Sequence, residues 1–117
     1  MFRAAARLIA VNGHWQGDYV PDAFDRVSST DHAVRPLSIV AAIRCVCTGS
    51  PHRTSSLSER AIRVLAHRLE VGGEGPQDTD PFGLECHVAA WGDVEGRRTE
   101  TVVAVLEAAG DATEVAA

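Results

Sequence analysis

Lysine is missing from this 117-residue chain; all eleven basic residues are arginine. Alongside abundant Ala, Gly and Val, that bias reads as GC-rich coding rather than as chemistry. The arginines are outnumbered by sixteen Asp and Glu, which leaves a net charge of −5. Non-specific nucleic-acid binding needs a basic footprint, so the balance argues against nucleic acid as a partner. Aromatic residues are scarce too, with two Trp, one Tyr and three Phe. Any core must therefore be built from Ala, Val, Leu and Ile. Cysteine is down to three residues, and Cys45 and Cys47 nearly touch in sequence. An odd count of this kind implies no disulfide framework and fits a reduced, cytoplasmic protein. No long apolar run is present: Leu37 to Cys47 is too short to span a bilayer and contains Arg44. Residues 2–12 carry Arg3 and Arg7 in an amphipathic pattern, unlike the uninterrupted apolar stretch of a signal peptide. No membrane partner is expected.

The recurrent catalytic and ligand-holding motifs are also missing. There is no Cys-x-x-Cys pair. The five histidines, His14, His32, His52, His67 and His87, never fall four apart. Cys45 and Cys47 on a helix would point about 200° apart, which suits one zinc ion poorly. Cys86 and His87 are sequence neighbours, which usually point apart. Asp18, Asp22, Asp25 and Asp31 lack the spacing of a calcium loop. No P-loop, dinucleotide fingerprint or nucleophile elbow occurs. The expectation is no metal and no cofactor.

What remains has the length of one domain and a helical pattern. Phe2, Ala5, Ala6, Leu8 and Ile9 mark a first helix that Asn12-Gly13 stops. Residues 14–34 are irregular, with room for a short β-hairpin, and Trp15, Tyr19 and Phe24 would pin them to the body. Pro36 opens a central helix, apolar on most sides from Leu37 to Cys47. Ser56-Leu57-Ser58-Glu59 has capping-box spacing and starts a third helix, with Leu57 inward, running to about Val71. Residues 72–83, GGEGPQDTDPFG, read as an exposed loop. Thr99 caps a last helix with Val102, Val105, Leu106 and Ala109 inward, ended by Gly110. The fold class is all-α: about four helices with long loops in one domain, residues 1–110, followed by a frayed tail at 111–117.

Gly13-His14-Trp15-Gln16-Gly17 closes the first helix. Trp91-Gly92-Asp93, then Gly96-Arg97-Arg98-Thr99, lead into a Val-rich final helix. In this order, with Ala41-Ala42-Ile43 between them, the segments resemble a family of short actinobacterial proteins known only as a domain of unknown function. Those proteins tend to end in a Trp-Asn-Asp turn, a Gly-Arg-Thr step and a helix. The resemblance covers most of the chain and brings no activity with it. The sequence departs from it at Gly92, where Asn would stand, and at Ser38 and Ala41, where Cys and Gly would.

The densest polar cluster is Trp91, Asp93, Arg97, Arg98 and Thr99, beside a helix start. Backbone N–H groups and two arginines there suit a phosphate or carboxylate. The competing reading is structural: Trp91 fills the core, Asp93 turns the chain and Thr99 caps. His14, Trp15 and Tyr19 complete the candidate ligand-binding set with Trp91, Asp93, Arg97 and Arg98. Arg53, Arg60, Arg63 and His67 form a basic side of the third helix, most simply its wet face. Two functions follow. The first is a small interaction or regulatory protein that self-associates or binds a protein partner. The second is a small enzyme of specialised metabolism holding a small molecule between its helices.

Overall fold

Five helices make up the computed structural model, which describes residues 1–16 and 36–116. They are α1 (Phe2–Asn12), α2 (Ile39–Thr48), α3 (Ser56–Ala66), α4 (Pro81–Gly92) and α5 (Thr99–Ala116). The described residues form no sheet, only isolated bridges at His14–Leu37 and Val71–Glu74. The hairpin expected within 14–34 falls almost wholly on residues 17–35, outside the described residues.

Helix α2 occupies the centre. Ile39, Val40, Ala41, Ala42 and Ile43 are all but inaccessible, as a helix without a polar side must be. Its start differs from the expectation: Ser38, not Pro36, is the N-cap, and its hydroxyl accepts the Ala41 N–H. Pro36 lies outside because Leu37 is extended there, exchanging backbone hydrogen bonds with Gly13 and Trp15. At the other end Gly49 is left-handed (φ 85°) and its N–H closes on the Cys45 carbonyl, as an αL cap does.

Helix α1 lies antiparallel on α5, with Phe2 and Arg3 against Gly110. Gly110 therefore does not end α5. It is buried inside a helix that continues to Ala116, where it lets α1 pack closely against α5. Helix α3 starts one residue earlier than expected. Ser55 is the N-cap and Ser58 its reciprocal partner, a capping box made of two serines. This turns Leu57 outward, where it is half exposed, contrary to the inward position expected. The helix stops at Ala66 rather than near Val71. Val71 instead pairs with Glu74 around Gly72-Gly73, both at positive φ, a two-residue turn that favours glycine.

Helix α4 is the element the sequence pattern did not disclose. It begins with Asp80 as N-cap, accepting the Gly83 N–H, and Pro81 in the first turn. Those are ordinary start signals, masked by the Gly and Asp around them. Leu84, Val88 and Trp91 face the core, while Phe82 is 71% exposed. With apolar residues on both sides, the helix shows no amphipathic period to read.

Candidate functional site

The turn from α4 to α5 brings together most of the residues singled out from the sequence. Trp91 is buried and belongs to the last turn of α4 rather than to a loop. The chain leaves the helix through Asp93, turns at Gly96 (φ 81°) and re-enters α5 at Thr99. Arg97 folds back across this turn. Its Nε donates to the Trp91 carbonyl at 3.1 Å, and its guanidinium carbon lies 3.9 Å from the centre of the Trp91 ring. A planar cation stacked on an indole is a favourable arrangement, and here it also satisfies an end-of-helix carbonyl.

His14 arrives from the other end of the chain. Its backbone N–H donates to the Thr99 hydroxyl at 3.3 Å. Its ring lies over Gly92: a Cβ built there would come within 3.2 Å of His14 Nε2 and 3.4 Å of Ile39. Glycine thus makes room for the imidazole. Burial is the main influence on the ring and holds its pKa below the ordinary histidine value. The Asp93 carboxylate works the other way, and the Arg97 cation adds to the lowering. Next to the ring is a cavity of about 10 Å³ between His14, Ser38, Ile39, Val88, Gly92 and Asp93. That is room for about one water molecule.

Gln16, outside the candidate ligand-binding set, completes the corner. Its amide donates to the carbonyls of Gly92 at 3.1 Å and Val94 at 3.0 Å. Both are orphan acceptors beyond or at the end of α4. Arg98 and Trp15 make their contacts elsewhere. Arg98 points into solvent and pairs loosely with Glu100 at 3.4 Å, both more than 70% exposed. Trp15 is about one-third exposed and contributes its backbone N–H to the Leu37 carbonyl. Tyr19 lies outside the described residues.

The chain belongs to a family of unknown function, DUF6197. Its family model matches residues 1–112 and so takes in both halves of this corner. No curated protein and no solved structure matches the chain. The geometry of this DUF6197 member must therefore speak for itself.

A second polar feature was not foreseen. Arg44 of α2 forms an ion pair with Glu85 of α4, with side chains only 10% and 13% exposed. Burial lowers the Arg44 pKa, partly countered by Glu59 of α3, and burial raises that of Glu85. Each shift reflects removal of a charge from water, which the pairing offsets. Beside this pair, on the outer side of α4, Cys86 is exposed and opens onto a groove of about 250 Å³. His87 donates its Nε2 proton to the Leu69 carbonyl at 2.8 Å and is held by that bond. The other two cysteines, Cys45 and Cys47, are partly buried free thiols. Among the described residues no three His, Cys, Asp or Glu side chains converge as metal ligands. No helix among them is long and apolar enough to cross a membrane.

Proposed function

We propose that this protein is a small interaction domain that docks other protein chains, copies of itself included. One observation carries the reading. Helix α4 is apolar on nearly all sides, yet only one side faces the core. Phe82, Cys86 and Ala90 recur one turn apart along the other side, and all three are exposed. A surface Phe at 71% exposure on an uncharged helical stripe is the kind of patch that marks a binding site. Glu74 and Asp78 line the groove beside it, so the matching partner surface would pair an apolar pocket with basic residues.

The enzyme reading rests on His14, Trp15, Tyr19, Asp93 and Arg97, and the described part of that corner supports it less well. The space beside His14 takes one water rather than a metabolite, and Arg97 is engaged by Trp91. The Gly-Arg-Arg-Thr step and the arginine-only composition support an actinobacterial setting, and the three free cysteines a cytosolic one, for the interaction reading.

A photocrosslinking amino acid at position 82 tests the proposal, expressed in the protein's own host. A discrete adduct is expected, and its mass reports the partner. Irradiation that leaves only the free chain would refute docking through α4.

A further inference from the structure

The face made by α1 and α5 carries charges in two parallel rows. Arg3 and Arg7 lie on α1; Glu107 and Asp111 lie on α5. Because the helices run antiparallel, the rows are level: Arg3 forms an ion pair with Asp111, and Arg7 shares a groove of about 400 Å³ with Glu107. Farther along, Ala10, Val103 and Ala104 line a second groove of about 270 Å³ together with Thr99, Glu100 and Glu107 of α5. All four charged residues are exposed; even the paired Arg3 and Asp111 side chains keep 49% and 64% of their accessibility. The face is thus basic along the α1 edge and acidic along the α5 edge, with Ala10, Val103 and Ala104 between them at one end.

Such a face is complementary to itself. Turn a second copy over about a two-fold axis running along the helices. Its α1 then lies over α5 of the first, at the same height. Arg3 meets the partner's Asp111, Arg7 meets the partner's Glu107, and the ends bearing the second groove coincide. A two-fold axis running across the helices would instead stack like charge on like. We propose that a second copy of this chain docks here, with the axis parallel to α1 and α5. The proposal rests on the interaction-domain reading and assigns self-association to a face distinct from α4.

The area sets the strength. An eleven-residue α1 is about 16 Å long, and two helices are about 20 Å wide, so each copy contributes on the order of 300 Å². A standard interface takes about 800 Å² from each partner. The dimer is therefore weak, concentration-dependent and sensitive to salt.

Sedimentation of the full chain over a concentration series tests this. A dimer is expected at about 50 mM salt, weakened roughly tenfold or more at about 500 mM, where exposed charges are screened. One variant carries Arg3→Glu and Arg7→Glu, which makes the whole face acidic. A second carries Glu107→Arg and Asp111→Arg, which makes it basic. Each alone should be monomeric, and an equal mixture should recover a mixed dimer. Ala104→Arg, an exposed position on the second groove, guards against variants that lose helicity and should also weaken the dimer. A wild-type chain that stays monomeric throughout overturns both this proposal and self-association itself. A wild-type dimer that all three variants retain overturns the α1/α5 face and leaves self-association standing elsewhere.

Discussion

Arg44 and Arg97 both hold α4 in place, and they do it by opposite means. Arg44 reaches from α2 into the protein and meets Glu85 in a site almost closed to water. Arg97 reaches back from the α4–α5 turn, with its flat cation on the Trp91 ring and its Nε on the Trp91 carbonyl. The first is a charge pair placed where either charge alone is costly. The second is a half-buried cation whose contacts are an aromatic face and a backbone oxygen. A buried pair therefore penalises the loss of one partner far more than its presence rewards the fold. A half-buried stack contributes its contacts and little else.

The largest expected effect breaks the first side of the comparison. Arg44→Met removes the cation that faces the buried Glu85 carboxyl, at a loss of about 3–5 kcal/mol. Replacing both, Arg44→Met with Glu85→Leu, should recover most of that loss, because the buried carboxyl goes too. Urea unfolding of the two single variants and the double variant measures the coupling. Equal losses in the single and double variants would show that Arg44 acts through packing of its stem rather than through its charge.

The second prediction addresses the other arginine. Arg97→Ala should destabilise by about 1–2 kcal/mol, the sum of a partly exposed cation–π contact and one hydrogen bond. Arg97→Lys should lose most of the same amount, since an ammonium offers neither a planar stack nor the guanidinium Nε. Thermal unfolding with Trp91 fluorescence as the probe separates the cases. Full retention of stability by lysine would mean that charge alone matters at this turn.

The two arginines also show what sequence reasoning could reach. The corner was legible because Trp91, Asp93, Arg97 and Thr99 stand within nine positions of one another at a helix start, where polar side chains have recognisable work. His14 was marked out by its place at the end of α1. What stayed hidden was the contact of His14 with Gly92, and Gln16 as the side chain that ties the ends together. Arg44 was visible only as a charge inside an apolar helix. Its partner lies 41 positions away, and no local period links them. Glu85 was invisible because α4 itself was: a helix buried on one face and apolar on the other gives no alternation to detect. The same property hid the Phe82 stripe. A helix whose outer side resembles its inner side is hard to find in a sequence and, for that reason, a good candidate for a docking face.

The smallest expected effect concerns the histidine at the corner. His14 has a folded-state pKa below its unfolded value because burial disfavours the cation. The unfolded chain therefore takes up a proton first as the pH falls. The contribution of His14 is complete above the ordinary value of about 6.5, declines below it and levels off once the folded state is protonated too. His14→Asn removes this component, so the wild-type chain should lose more stability than the variant between about pH 7 and pH 5. The other histidines are common to both proteins and cancel in the difference. Asp93→Asn sharpens the measurement: without the carboxylate that favours the cation, the folded pKa drops further and the sloping window widens. Parallel pH profiles for wild type and His14→Asn would mean that the ring is solvated in the folded protein. The Gly92 contact would then have to be loose as well, and Gly92→Ala would be tolerated without any shift of His14.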